Sequence, residues 1–223
     1  MSTPEAFRAE DTQPAVRGFL HRPDHVNGNG LVLTHGAGSN CNSPLLIALA
    51  EAFIGAGFTV LRCDLPYRQA KPSGPPMGTA ALDQAGLRNA VLEMKKLVPG
   101  KVFLGGHSYG GRQSTILCAG DPGLVEGLLL LSYPLHPPRK PDQMRTQHFP
   151  KLETPSLFVH GTRDPFGSVE EMQESLKLIA GRHELLPVEG AGHDLLSKRK
   201  AKTEDLTAKI QHHFQNFFLK ADS

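Results

Sequence analysis

Five short runs rich in apolar residues recur along this chain, and stretches with helical periodicity separate them. The runs cover residues 31–34, 58–61, 102–104, 128–131 and 157–159. Because their apolar residues are consecutive rather than alternating, we expect strands that are covered on both faces, as in a parallel sheet. Parallel strands need a crossover segment between them, usually a helix, so this pattern restricts the chain to the α/β class.

The segments between these runs carry the start and stop signals of helices. Ser43 and Pro44 provide an N-cap and a first-turn proline, and Gly57 ends the same stripe of apolar residues. Ser168 and Glu171 form a capping box that opens a later helix, and a further apolar stripe predicts a helix near the C-terminus. Strand and helix therefore alternate from about residue 30, behind a hairpin around residues 16–21, in a doubly wound sheet with right-handed crossovers.

The length of 223 residues suits one domain with a full hydrophobic core, since single domains extend to ~250 residues. We expect this domain to span residues 1–223, with residues 1–12 as a flexible N-terminus. The longest irregular piece, residues 132–154, is rich in proline and is too short for a separate cap domain. Any lid is therefore expected to be a loop or one short helix.

Charge, cysteine content and hydropathy exclude several classes of protein. The formal net charge of +2 is too small to suggest a nucleic-acid partner. Cys41, Cys63 and Cys118 match no zinc pattern, and we expect buried free thiols rather than disulfides. No apolar run approaches the ~20 residues of a membrane helix, and the N-terminus lacks the apolar region of a signal peptide. We expect a cytoplasmic protein without a metal or a membrane span, whose oligomeric state the sequence leaves open.

The segment GGHSYGGR, residues 105–112, directly follows the third apolar run and could bind phosphate, close a tight corner or present its serine. A phosphate-binding loop requires lysine and a hydroxyl residue where this segment has Gly-Arg, so that alternative fails. Gly106-x-Ser108-x-Gly110 instead matches the nucleophile elbow, with a strand before it and a helix after it. The serine of an elbow sits on a strained, sharp turn, and only very small residues at Gly106 and Gly110 leave room for the close approach of strand and helix.

A serine hydroxyl needs a base to act as a nucleophile near neutral pH. His193 is the candidate base among eleven histidines, because it follows a strand-like segment in a glycine-flanked loop. Asp164, at the end of the fifth apolar run, is the candidate carboxylate that orients the imidazole. The backbone amides of Ala37 and Tyr109 are the candidate oxyanion hole. We therefore predict a catalytic triad of Ser108, Asp164 and His193 that converges from three strand ends.

Six segments resemble the α/β-hydrolase superfamily, and more narrowly its small, capless members related to dienelactone hydrolase. They are LTHGAGSN, LRCDLPYR, FLGGHSYGGR, LLLSYPLHPP, LFVHGTRDPFG and VEGAGHDL, from about Leu31 to Leu195. The group most similar in these segments includes the testis-expressed protein and the hydrolase-like domain of an NSL-complex subunit. The resemblance implies an α/β-hydrolase fold, with a mostly parallel central sheet, helices on both faces, no separate cap domain and the triad roles assigned above.

Four further side chains are candidates for substrate contacts: Tyr67, Arg68, Arg112 and His136. Arginine can hold a substrate carboxylate with two parallel hydrogen bonds. The alternative is that the arginines pair with acids or carbonyls of the scaffold, and that the tyrosine and histidine serve in packing.

The sequence thus predicts a serine hydrolase of carboxylic esters or thioesters that acts on a small-molecule ester or acyl substrate without a cofactor. Two alternatives remain at this point. One is a peptidase or acyltransferase with the same triad, and the other is a non-catalytic binding module on a hydrolase fold.

Overall fold

Eight strands form one sheet in the computed structural model, which describes residues 3–196 and 200–220. They are β1 (Glu5–Ala9), β2 (Val16–His21), β3 (Gly30–Thr34), β4 (Thr59–Cys63), β5 (Val102–His107), β6 (Gly127–Leu131), β7 (Ser156–Gly161) and β8 (His183–Val188). Their order across the sheet is β1-β2-β4-β3-β5-β6-β7-β8. The β1–β2 and β2–β4 pairs are antiparallel and every other neighbouring pair is parallel, which confirms the predicted, mostly parallel sheet.

Helices cover both faces of the sheet, as predicted. They are α1 (Pro44–Gly55), α2 (Pro66–Ala70), α3 (Ala80–Leu97), α4 (Tyr109–Gly120), α5 (Val169–Leu176) and α6 (Lys200–Phe218). One face packs against α1 and α6, and the other packs against α2, α3, α4 and α5. In β3, Leu31 and Leu33 enter one apolar cluster while Val32 enters the other. Burial on both faces is why the strand sequences are continuously apolar.

The local helix signals agree with the structure. The Ser43 hydroxyl accepts the N–H of Leu46 at 3.4 Å and Pro44 begins α1. At α5, Ser168 Oγ accepts the N–H of Glu171 at 3.2 Å, and the Glu171 carboxylate accepts the N–H of Ser168 at 2.7 Å. The predicted capping box is therefore confirmed, and both helix starts are determined by their own sequences.

The expectation of a flexible N-terminus over residues 1–12 is wrong for residues 5–9. These residues form β1, which pairs with β2 in antiparallel register and places Ala9 in the core, with Phe7 packed against it. The exposed charged residues of this edge strand obscure its alternating pattern in the sequence, and the pairing with β2 supplies the backbone hydrogen bonds. Residues 1 and 2 lie outside the described residues.

The carboxyl ends of β3, β5, β7 and β8 meet at one edge of the sheet. Segment 132–154 between β6 and β7 forms loops and a single 3-10 turn, Phe149–Lys151, so no separate cap domain occurs among the described residues. None of the described helices is long and apolar enough to span a membrane.

Candidate active site

Ser108 occupies the one-residue turn between β5 and α4. Its backbone has φ 51° and ψ −115°, in the left-handed half of conformational space that residues with a side chain rarely adopt. The Ser108 amide donates to the carbonyl of Leu131 at 2.8 Å, and its carbonyl accepts the N–H of Arg112 at 2.9 Å. These bonds to β6 and to the first turn of α4 hold the strained turn at the carboxyl edge of the sheet.

The two flanking glycines are required by sterics. A Cβ added to Gly106 would lie 2.4 Å from the amide nitrogen of Gly111, and one added to Gly110 would lie 2.6 Å from the carbonyl oxygen of His35. Both distances are far below van der Waals contact, and both of these atoms belong to the backbone, which cannot move aside as the end of a flexible side chain can. The spacing Gly-x-Ser-x-Gly is therefore what lets α4 pass this close to β5 and β3, for the reason inferred from the sequence.

The side chains of Ser108, His193 and Asp164 form one hydrogen-bonded chain. His193 Nε2 lies 2.8 Å from Ser108 Oγ, and His193 Nδ1 lies 2.8 Å from Asp164 Oδ2. The Asp164 side chain is fully buried, and its second oxygen accepts the N–H of Phe166 at 2.8 Å. Because an ionised carboxylate only accepts hydrogen bonds, Nδ1 carries the proton and Nε2 is free to accept from the serine hydroxyl. This arrangement can take a proton from the serine.

Two neighbours fix the orientation of the His193 ring. The Phe166 ring lies over it with centroids 4.2 Å apart and planes inclined by 31°. His107 Nε2 lies 2.8 Å from the carbonyl oxygen of His193, and burial lowers the pKa of His107, so its neutral ring donates to that carbonyl. Neither residue was singled out as functional from the sequence, although both belong to segments that carry the hydrolase resemblance.

Ala37 and Tyr109 carry the two amides of the candidate oxyanion hole. Tyr109 is the first residue of α4, so its N–H lacks a partner within the helix. In the part of the chain that the structure describes, neither amide donates to another backbone carbonyl. Both residues line a cavity together with Ser108. Neither N–H group is thus occupied by a backbone acceptor of the described residues, as the candidate role requires.

Tyr67 and Arg68 lie behind the loop that follows β3. They line neither of the two described cavities that contain Ser108. The Tyr67 hydroxyl donates to the carbonyls of Gly36 at 3.2 Å and Ala37 at 2.9 Å. Arg68 donates from Nη2 to Ala37 O at 2.8 Å, from Nε to Ser39 O at 2.7 Å, and to two further loop carbonyls. Both side chains therefore hydrogen-bond the loop that carries Ala37, termed the oxyanion loop after its candidate role, as the scaffold alternative describes.

A buried carboxylate that the sequence analysis did not single out supports the same region. Asp83 on α3 contacts the backbone of Tyr67 and the side chain of Tyr109. Burial raises the pKa of Asp83, whereas these hydrogen bonds oppose the rise. Its signal in the sequence is weak, because a single acid in the first turn of a helix is also what the helix dipole favours.

The remaining two candidates for substrate contacts, His136 and Arg112, differ in their position relative to Ser108. His136 contacts the carbonyl of Pro137 at 2.8 Å and the carboxylate of Glu171 at 3.4 Å, and so ties the segment after β6 to α5. It lines neither of the described cavities that contain Ser108, so its contacts are those of the packing alternative. Arg112, one turn into α4, does line a cavity with Ser108.

The three cysteines are buried and unpaired, as expected from the sequence. Burial raises the pKa of Cys41 and of Cys118 to about 12, and raises that of Cys63 as well. Since the thiolate is the nucleophilic form, these groups are unsuited to covalent catalysis at neutral pH.

Comparisons with known proteins agree with the fold described above. A family model described as an alpha/beta hydrolase domain matches residues 27–219. Dienelactone hydrolase from Anabaena variabilis superposes with a TM-score of 0.76 at 19% identity, covering 97% of this chain and 98% of that one. Est1E from Butyrivibrio proteoclasticus gives 0.75 at 16% identity, covering 98% and 100%.

A third solved structure is XC6422 from Xanthomonas campestris, described as an α/β serine hydrolase without a lid. It superposes with a TM-score of 0.73 at 17% identity, covering 99% of this chain and 98% of that one. At these identities the likeness shows a shared fold. The capless α/β architecture expected from the sequence is thereby confirmed.

Proposed function

Because this chain belongs to the alpha/beta hydrolase domain family, we propose that it is a serine hydrolase that cleaves carboxylic esters or thioesters through an acyl-enzyme. The observation that carries this proposal is the 2.8 Å approach of His193 Nε2 to Ser108 Oγ, with the opposite ring nitrogen 2.8 Å from the buried Asp164 carboxylate. The resemblance of the sequence to capless hydrolases related to dienelactone hydrolase supports the same conclusion.

Acylation begins when Ser108 Oγ attacks the substrate carbonyl carbon as His193 Nε2 accepts the hydroxyl proton. The negative charge on the former carbonyl oxygen is stabilised by the amides of Ala37 and Tyr109, at the positive end of α4. Asp164 holds the required tautomer and stabilises the imidazolium that forms. When the tetrahedral intermediate collapses, the bond to the leaving alcohol or thiol breaks and His193 returns the proton to it.

Deacylation reverses this proton path. A water molecule transfers a proton to His193 and attacks the acyl carbon, and the second tetrahedral intermediate expels Ser108 Oγ, which regains its proton. Without a cap domain over this edge of the sheet, the site is open, which favours short acyl groups or acyl groups presented by a larger molecule.

Covalent labelling with a fluorophosphonate tests the proposal. We expect rapid labelling of the full chain, loss of labelling in Ser108→Ala, and unchanged labelling in Ser73→Ala, an exposed serine outside the site. A folded protein that does not react would contradict the enzyme and favour the binding module.

The bond type is tested with matched esters, thioesters and amides of one short acyl group. Turnover of the ester and thioester but not of the amide supports the proposal. Faster cleavage of the amide, or acyl transfer to an added alcohol in preference to water, would favour the peptidase or acyltransferase alternative.

A further inference from the structure

A cavity of about 370 Å³ opens beside Ser108, between α4 and the segment that follows β6. This volume is within the range of small-molecule sites. Arg112 reaches it from the first turn of α4, and Arg145 reaches it from the irregular segment 132–154. Ala37, Pro76, Tyr109, Pro134 and Phe166 complete its lining, and no acidic side chain of the described residues is part of it.

Neither arginine forms an ion pair with another described residue. The arginine ion pairs found among the described residues involve Arg17, Arg22 and Arg88. The Nε atom of Arg112 is buried and has no hydrogen-bond partner among the described residues. Arg145 makes one long contact, from Nη1 to the carbonyl of Pro134 at 3.4 Å. Burial raises the pKa of the Tyr133 phenol, and the nearby Arg112 guanidinium opposes this rise. Neither guanidinium has a carboxylate partner among the described residues, so both keep hydrogen-bond donors for a ligand.

The two positive charges also act on each other. Burial lowers the pKa of Arg145, and the charge of Arg112 lowers it further. Arginine nevertheless stays protonated at any physiological pH. Two partly buried like charges beside an apolar wall are unfavourable unless an anion joins them, because burial removes the water that would otherwise solvate them. Two adjacent guanidinium groups of this kind form a binding site for an oxyanion, which would accept charge-assisted hydrogen bonds from both.

The position of the base indicates which part of the substrate reaches these arginines. His193 must protonate the leaving group, and it lines a second cavity of about 290 Å³ that shares Ala37, Ser108 and Phe166 with the first. The 370 Å³ cavity is lined by Ala37 and Tyr109 but not by His193. A substrate that directs its leaving group towards His193 therefore extends its acyl chain towards Arg112 and Arg145.

We propose that the preferred substrates are esters or thioesters whose acyl chain ends in an oxyanion, a carboxylate or phosphonate-like group held jointly by Arg112 and Arg145. This inference rests on the proposed function, since it assigns a substrate class to the same serine.

Matched 4-nitrophenyl esters test the proposal with the full chain. The mono-ester of adipic acid, the same chain ending in a phosphonate, and the same chain ending in a neutral primary amide differ only in terminal charge. We expect kcat/KM for at least one charged ester to exceed that of the amide ester at least tenfold, mainly through a lower KM. The better of the two charged esters identifies the oxyanion that fits.

Variants then assign the preference to the arginines. Arg112→Gln and Arg145→Gln are each expected to lower the ratio of charged to neutral kcat/KM by about 10–100-fold, as for loss of a charge-assisted hydrogen bond. Arg88→Gln is the matched control, because it removes one positive charge where Arg88 pairs with Asp121 at the far end of α4. This control should leave the ratio unchanged.

The outcomes separate this inference from the function on which it rests. A wild-type protein that cleaves the neutral ester but shows no preference for charge would overturn the inference alone. Equal losses on charged and neutral esters in both variants would do the same, since the arginines would then be scaffold. A charge preference on the leaving-group side instead of the acyl side would overturn the assigned orientation. If no ester is cleaved and Ser108 is not labelled, both proposals fail.

Discussion

The hydroxyl of Tyr109 donates a 2.8 Å hydrogen bond to the buried carboxylate of Asp83. The other oxygen of Asp83 accepts the backbone N–H of Tyr67 at 3.1 Å. One carboxylate on α3 therefore anchors the residue that supplies an amide beside Ser108 and the residue that supports the Ala37 loop. The two halves of the candidate oxyanion hole come from different loops, and Asp83 links them.

Replacing Asp83 should weaken both stability and turnover. In Asp83→Ala the Tyr109 hydroxyl and the Tyr67 amide lose their buried acceptor, at about 1–3 kcal/mol for each unsatisfied group. We expect the free energy of unfolding in urea to fall by about 2–4 kcal/mol and kcat to fall about tenfold. Asp83→Asn keeps the shape and one acceptor oxygen and should lose less. Full activity in the alanine variant would show that the anchor is dispensable.

The tautomer argument gives Asp164→Asn a specific outcome. The amide can present its NH₂ group to His193 Nδ1, which would move the ring proton to Nε2 and leave no acceptor for the serine hydroxyl. We expect kcat to fall by about 10⁴, compared with about 10⁴–10⁶ for Ser108→Ala or His193→Ala. Steady-state rates on one activated ester are sufficient. An Asp164→Asn enzyme with the parent's rate would show that another carboxylate orients the base.

The close approach at the elbow predicts opposite effects for two glycines of α4. Gly110→Ala would place a Cβ 2.6 Å from the carbonyl oxygen of His35, so α4 must shift away from β3. We expect a loss of about 1–3 kcal/mol and a large drop in activity. Gly120→Ala, in the last turn of the same helix, meets no atom within 4 Å and should be neutral or slightly stabilising. Thermal unfolding of both variants compares the two positions, and equal behaviour would contradict the steric account.

The placement of Arg68 predicts a loss that does not depend on substrate charge. Its guanidinium donates to the carbonyls of Ala37 and Ser39, so Arg68→Met should disturb the oxyanion loop itself. We expect kcat to fall by a similar factor on charged and neutral esters, whereas Arg112→Gln should discriminate between them. If Arg68→Met lowered kcat on charged esters only, Arg68 would contact the substrate after all.

The half-buried side chain of His148 predicts that the stability of the protein falls in acid. Burial and the nearby charge of Arg112 lower its pKa to about 4 from 6.5, and its Nε2 lies 2.8 Å from the Thr115 hydroxyl. The unfolded chain therefore binds the proton at higher pH than the folded protein. This contribution to stability is complete above about pH 6.5 and is lost as the pH falls towards 4.

Urea unfolding at pH 7 and pH 5 should show this decline, and His148→Gln, which keeps a polar group near Thr115, should decline less. His25→Gln, at an exposed histidine, is the control and should follow the parent. Identical slopes for the parent and for His148→Gln would exclude His148 as a source of acid sensitivity.

Much of the fold and the placement of the candidate triad could be predicted from the sequence, because the signals are local. Apolar runs show which strands are covered on both faces, caps and glycines mark the helix ends, and the spacing around Ser108 reflects a steric limit. Since parallel strands end at a common edge, residues that follow them, such as Asp164 and His193, are expected near one another. The structure brings their side chains within hydrogen-bond distance of one another and of Ser108.

The contacts of the other polar side chains depend on the tertiary structure. Tyr67 and Arg68 contact loop carbonyls some thirty positions away in sequence, His136 contacts α5, and only Arg112 of the four candidates faces the cavity at Ser108. The N-terminal segment forms a strand because it can pair with the edge of β2. A polar side chain finds its partner through packing between distant elements, and such packing leaves no periodic pattern in the sequence. That is why the chain itself specified its fold and the order of its reactive groups, while the division between scaffold and binding site emerged only in three dimensions.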